Sequence, residues 1–132
     1  METLDFYTDG AHSSIKQKGG WAFVCPQLKL QVGNGEYNTT NNRMELKAIL
    51  AVMYFVYKSN LYSKYNIVIH SDSMYCVGTL NYNWSINKNQ DLWNLILELF
   101  KKIKCQIIHI KGHNNNLYNE MADNLAVINS NL

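Results

Sequence analysis

The sequence predicts an α/β (α+β) fold: a five-stranded mixed sheet, three antiparallel strands then two parallel ones, flanked by about four helices. Two observations carry this. Three short runs with alternating apolar residues follow one another through Tyr37, separated by joins of turn length. Beyond them, compact β-branched runs alternate with runs of helical period. Hairpin-linked strands followed by strand–helix alternation place a meander beside βα units in one sheet.

The first strand, "LDFYTDGA", alternates around Leu4, Phe6 and Thr8 and is expected to stop at Gly10, with Asp9 in the turn. "GGWAFVCP" and "LKLQVGNGEY" read as the next two strands, with the only proline, Pro26, on an edge. A long, mostly buried helix follows from about Asn42 to Ser59. Its inner stripe steps from Glu45 through Ile49, Val52, Met53 and Val56. "YNIVIHSD" is the fourth strand, and a short helix runs from Ser73 to about Leu80. After the polar "NYNWSINKN", Leu92, Leu95, Ile96, Leu99 and Ile103 define a helix from about Gln90 to Lys102. "KCQIIHI" is the fifth strand, "KGHNNN" a loop, and Leu117 to about Asn129 the last helix. Neither a repeat nor a linker composition interrupts 1–132, so one domain is expected.

Composition narrows the function classes. A formal net charge of +2 is too small to announce polyanion binding by itself, so any such contact must come from local clusters. Three cysteines, far apart and without CxxC spacing, indicate neither a disulfide framework nor a zinc site. A reducing, cytoplasmic setting fits. No segment approaches the roughly 20 apolar residues of a membrane span.

Four acids stand out by position. Asp9 closes the first strand, Glu45 lies in the first helical turn, Asp72 follows the fourth strand, and Asp123 sits between Ala122 and Ala126 on the last helix. Each has an ordinary alternative role. Asn42 and Glu45 approximate a capping box, Asp72 could cap the short helix, Asp9 could be a turn residue, and a lone helix acid usually faces water. Jointly they read differently. Ligand sites of open α/β sheets lie beyond the carboxyl ends of strands, where Asp9 and Asp72 fall. Several anions can share one pocket only around a cation, and hard oxygen ligands without His or Cys suit Mg2+ or Mn2+.

In that order and at these separations, "YTDG", "TTNNRMEL", "SDS" and "KGHNNN" followed by "NEMADNLA" resemble the type 1 ribonuclease H family. The resemblance spans Asp5 to about Ala126. It implies the RNase H-like fold and endonucleolytic cutting of the RNA strand of RNA–DNA hybrids, leaving 5′-phosphate and 3′-hydroxyl ends. It implies that Asp9, Glu45, Asp72 and Asp123 hold two Mg2+ ions, which Mn2+ can replace, about 3.5–4 Å apart. Asp9 would bridge them, and Glu45 would also touch the ribose 2′-hydroxyl. His113 matches a loop histidine that assists product release. Thr40 and Asn83 match positions holding a DNA-strand phosphate, Asn41 and Asn42 match minor-groove readers, and Trp84 matches an aromatic of the DNA channel. A monomer without a small-molecule cofactor is expected.

The sequence departs from many relatives between its second and third helices, where only "NYNWSINKNQDLW" stands in place of an extra helix and basic loop. Weak, salt-sensitive hybrid binding follows unless Lys16 and Lys18, or Lys101, Lys102 and Lys104, compensate. Two other classes compete: a hybrid-binding module without catalysis, and a DNA-directed nuclease or strand-transfer enzyme on the same fold. Retention of all four acids speaks against the first, and the minor-groove amides of 40–46 against the second.

Overall fold

A computed structural model describes residues 1–111 and 116–132. Its sheet has the order β3-β2-β1-β4-β5. Strands β1 (Thr3–Ser13), β2 (Lys18–Cys25) and β3 (Leu30–Tyr37) pair antiparallel. β4 (Asn66–Ser71) joins β1 in parallel, and β5 (Gln106–His109) joins β4 in parallel. The expected three-plus-two sheet is therefore present. Four helices complete it: α1 (Asn41–Lys58), α2 (Met74–Tyr82), α3 (Gln90–Ile103) and α4 (Leu117–Asn131). A short 3-10 turn at Leu61–Ser63 links α1 to β4.

Two of the expected boundaries move. β1 does not stop at Gly10 but continues to Ser13, so Asp9 pairs with Ala22 inside a strand instead of sitting in a turn. The reason is that β2 extends further than β4 and keeps satisfying the backbone of 10–13, with Ser13 opposite Lys18. What ends near Asp9 is the parallel ladder, whose last pair is Tyr7 with His70. Pro26 lies in the β2–β3 turn, where its carbonyl accepts from the Lys29 N–H, and not on a strand edge.

The second change concerns α1. Its N-cap is Thr40, whose hydroxyl accepts from the Arg43 N–H, so Asn42 is already helical and no capping box forms with Glu45. Glu45 consequently stands in the second turn. Ser73 likewise caps α2 by accepting from the Cys76 N–H, which leaves the Asp72 carboxylate free of that task.

The main core lies between the sheet and α1, where Phe6, Phe23, Leu46, Ile49, Val52 and Met53 are fully buried. Phe6 meets Phe23 and Phe55 edge-on at centroid distances of 5.9 and 6.3 Å. α3 buries Leu92, Trp93, Ile96 and Ile103 on its inner side, whereas Leu95, expected on that stripe, is half exposed, the large Trp93 taking the inner position instead. α4 crosses the opposite face over β1, β2 and β3.

Arg43 fastens α1 to its neighbours. It binds both carboxylate oxygens of Asp91 on α3 at 3.0 and 2.7 Å, and its Nε lies 3.6 Å from Glu36 on β3. Lys47 pairs with the same Glu36. The hydrogen bond from Arg43, reinforced by its charge, holds the Asp91 carboxyl down at about 2. That stabilisation is present above the ordinary aspartate range and is lost as pH falls towards 2. Arg43→Ala is expected to lower the melting temperature at pH 7 by about 2–6 °C. Arg43→Lys should recover little of it, because an ammonium cannot reproduce the two-pronged contact. Equal melting curves for Arg43→Ala and the parent would remove Arg43 from this role.

Candidate active site

Parallel register sets Asp9 and Asp72 side by side. Each lies two residues beyond the last β1–β4 pair, Tyr7 with His70, so the two acids leave neighbouring strands at the same height. Glu45 reaches them from α1. An ideal Cβ on Gly10 would fall 2.5 Å from the Glu45 backbone nitrogen and 2.6 Å from the Met44 carbonyl carbon, so the α1 backbone passes directly over this glycine. That approach lets the Gly10 N–H donate to Glu45 Oε1 while also reaching its neighbour Asp9 Oδ1 at 2.9 Å. Asp123 enters from α4 on the other side of the sheet edge.

Asp9, Glu45 and Asp72 each offer a carboxylate oxygen, and these atoms all lie within 4.8 Å of one another. Asp9 and Glu45 are only 6% and 5% exposed. Together with Asp123, Glu120, Asn41, Asn119 and Gly10 they line a cavity of about 180 Å³ that contains no lysine, arginine or histidine among its described residues. Burial, followed by the charges of Asp72 and Asp123, pushes Asp9 up to about 7 against the pull of its hydrogen bonds. Burial first, then the hydrogen bond and charge of Asp9, drives Glu45 well above the usual carboxylate range. Such crowding wants a countercharge. The donor set is entirely oxygen, so it fits a hard divalent cation and not a soft or nitrogen-preferring one.

The other expected site residues are distributed around this centre. Thr40, Asn41 and Asn42 are exposed at the start of α1, and Asn41 reaches the cavity lining. Asn83 is the left-handed residue ending α2, φ 57°, also exposed. Trp84 is 47% exposed and lies flat against Gly78, where an added Cβ would meet its ring at 2.3 Å. His113 lies outside the described residues. His70 is structural: Nε2 is 2.9 Å from Asp5 Oδ1 and the ring stacks on Tyr7 at 4.4 Å. His109 is exposed at the end of β5. His12 is exposed on β1 three residues past Asp9.

Sequence reasoning did not single out Asn119 and Glu120. The signal was available, because Asn119 stands four residues before Asp123 and so shares its side of α4. Nor did it foresee the duty of two lysines. Lys16 and Lys18 point their ammonium groups at the carbonyls of Asn131 and Leu132, at 2.6 and 2.7 Å, and so terminate α4 electrostatically.

A carboxylate cluster at the ligand edge of a mixed sheet suits a divalent cation. The class, a metal-dependent nuclease, follows from sequence relationship. A profile of the RNase H family matches residues 1–131, and the chain belongs to that family. The chain is 37% identical to a protein named ribonuclease H from Caldanaerobacter subterraneus subsp. tengcongensis, covering 95% of this chain and 89% of that one. It is 38% identical to the ribonuclease H of Thermoanaerobacter sp. strain X514, with 96% and 88% covered. Against the ribonuclease H of Campylobacter jejuni subsp. jejuni serotype O:23/36 the figures are 34%, 96% and 90%.

Proposed function

We propose that this chain, as one catalytic domain over 1–132, hydrolyses the RNA strand of RNA–DNA hybrids endonucleolytically and leaves 5′-phosphate and 3′-hydroxyl ends. The convergence of Asp9, Glu45 and Asp72 within 4.8 Å, in a cavity that Asp123 also lines, carries the reading. Mg2+ is the resident ion, with Mn2+ able to substitute. Two such ions, when bound, supply an activated water and relieve the charge that builds on the phosphate and the leaving 3′-oxygen.

The chain's own residues do the positioning. Asp9, grouped with Glu45 and Asp72, would be the acid shared between the metal ions, with Asp72 and Asp123 completing their coordination. Glu45, held by the Gly10 N–H, would also contact a ribose 2′-hydroxyl, the group that distinguishes RNA from DNA. The Thr40 hydroxyl already accepts from Arg43 and retains its proton for a DNA-strand phosphate. Asn41 and Asn42 offer amides to the minor groove beside it. Asn83 and Trp84, at the C-terminal end of α2, extend the contact to the DNA strand. His113 assists product release.

Grip on the duplex is modest. Lys16 and Lys18 are engaged at the end of α4, and Lys102 pairs with Glu98 at 3.3 Å while covering Tyr57. Lys101 and Lys104 are exposed and remain as candidates to replace a basic protrusion; with so few cations to neutralise phosphates, binding should be weak. The molecule acts as a monomer in the cytoplasm without a small-molecule cofactor. Its three cysteines, all free and buried, suit a reducing compartment. No helix among the described residues is long and apolar enough to cross a membrane.

End-labelled RNA–DNA hybrid, RNA duplex and DNA duplex, each incubated with Mg2+, Mn2+ or chelator, form the test. Internal cuts confined to the RNA of the hybrid, and abolished by chelator, are expected. Hybrid binding without cuts in either metal would point to a non-catalytic module, and comparable cutting of DNA duplex to a DNA-directed nuclease.

A further inference from the structure

A cavity of about 650 Å³ opens at the end of the sheet opposite the acids, where Thr3, Asn66 and Gln106 begin the three parallel-paired strands. Asp72 lies past the other end of β4, roughly 20 Å from Asn66 for six residues at the rise of a strand. The lining is apolar in Ile67 and Ile103, each 3% exposed, and aromatic in Tyr62 and Tyr65, both half-buried on the connection from α1 to β4. Tyr62 stacks on Tyr57 at 5.9 Å, and Lys102 Nζ stands 5.2 Å from the centre of that Tyr57 ring, so an ammonium lies beside the tyrosine pair. Lys104, exposed at the end of α3, also lines the cavity and forms no ion pair among the described residues. The lining thus holds two lysines and no carboxylate, the reverse of the acid cavity. Lysines at a helix C-terminus ordinarily offset its partial negative charge, but that duty needs neither a cavity nor tyrosines beside them. The pair of Lys102 with Glu98 is an exposed contact one helical turn apart, which contributes little and leaves the ammonium able to turn to a ligand.

We propose that this cavity is a nucleotide site separate from the acids, in which a base stacks against Tyr62 and Tyr65 while its phosphate meets Lys102 and Lys104. Cavities of this size take small organic ligands, and the lining calls for a flat apolar body together with negative charge. A nucleotide has both. Stacking on aromatic side chains accepts any base, and lysines in a groove neutralise the backbone that carries it. The exposed Gln106 amide adds a donor and an acceptor for the edge of the base. The nucleotide comes either from a single-stranded segment flanking a hybrid or from free solution. In the first case a chain with modest grip on the duplex gains a second point of attachment. The site does not depend on the reading of the acid cavity.

Mapping of backbone amide shifts by NMR tests it on the parent chain in chelator, with dTMP, a short oligothymidylate, inorganic phosphate and an oligoglutamate peptide as separate probes. Both dTMP and the oligothymidylate should move the amides of Tyr62, Tyr65, Lys104 and Gln106. An oligothymidylate bound about 10-fold or more tightly than dTMP assigns the site to single strands, and equal affinity assigns it to free nucleotides. Tyr65→Leu should weaken the oligothymidylate by about 10-fold, the loss of one stacked base, while cutting a blunt hybrid at the parental rate. Lys104→Gln, an exposed substitution, should flatten the salt dependence of oligothymidylate binding by about 0.7 in log–log slope, and it decides the matter should Tyr65→Leu fail to fold. Shifts confined to Asn41, Asn42, Asn83 and Trp84, inorganic phosphate binding as well as dTMP, or oligoglutamate binding more tightly than oligothymidylate would overturn the proposal, as would an absence of shifts with both nucleotide probes.

Discussion

Asp9→Asn is expected to slow hybrid cleavage by more than about 100-fold, beyond what the loss of an outer-shell partner costs, while changing hybrid affinity little. It should also stabilise the metal-free protein. The physical cause is the same in both cases. Asp9 is buried against Glu45 and faces Asp72 and Asp123, and its pKa is raised from 3.8 to about 7. A carboxyl with a folded pKa above its unfolded one binds its proton more tightly when folded. As pH climbs from about 4 to about 7 the unfolded chain has already released that proton and the folded one still holds it, so stability falls over this window. The amide cannot ionise, so it removes Asp9's part of the slope. In chelator at pH 7.5, Asp9→Asn should gain about 1–3 kcal/mol, a rise in melting temperature of roughly 3–10 °C. Saturating Mg2+ should raise the parent's melting temperature more than the variant's, because a cation bound to the folded state adds stability by mass action. Near-parental cleavage by Asp9→Asn would remove it as the bridging ligand. A flat or lowered melting temperature in chelator would show that the acids do not strain the empty cavity.

Legibility in the sequence divides along physical lines. The sheet and its helices could be read because their cores are written in periodicity: two in Leu4, Phe6 and Thr8, and a helical step from Glu45 to Val56. The acids could be read because Asp9 and Asp72 fall just past the parallel ladder of β1 and β4, where topology gathers residues far apart in the chain. Boundaries were harder. Thr39, Thr40, Asn41 and Asn42 are all good capping types, so local chemistry alone does not choose among them. Tertiary packing does: Thr39 is buried beneath Gly19, and the helix begins just beyond it with Thr40 as cap. The extension of β1 past Gly10 was hidden for a similar reason, since "DGAHS" is turn-like until its partner on β2 is known. The duties of Lys16, Lys18 and Arg43 depend on neighbours over 40 residues away or more, which a local pattern does not record.

Gly10→Ala is expected to damage the site through the backbone and not through any ligand. A methyl group there would stand 2.5 Å from Glu45 N and 2.6 Å from Met44 C, both main-chain atoms of a helix packed into the core. Rotating a side chain cannot relieve such a contact, so α1 must move away from β1. Overpacking of this kind costs about 1–3 kcal/mol, and contact with an unyielding peptide bond of α1 places Gly10 at the upper end. The same shift carries Glu45 away from the Gly10 N–H and opens the 4.8 Å spacing of the acids. Misplacement by a fraction of an ångström is enough to disturb a catalytic constellation, so cleavage should fall by about 10²-fold even where the protein is fully folded. Gly33→Ala is the comparison. Its added methyl first meets the Asn129 side-chain amide, at 2.6 Å, and the Leu125 Cγ, at 3.1 Å, away from the acids. The side chains can turn aside and the one backbone contact, the Trp21 carbonyl oxygen at 3.1 Å, needs to give by only a few tenths of an ångström, so it should lose less stability and retain cleavage. Measured at a temperature where circular dichroism shows both variants folded, a parental rate for Gly10→Ala would mean that Glu45 does not need α1 held this close.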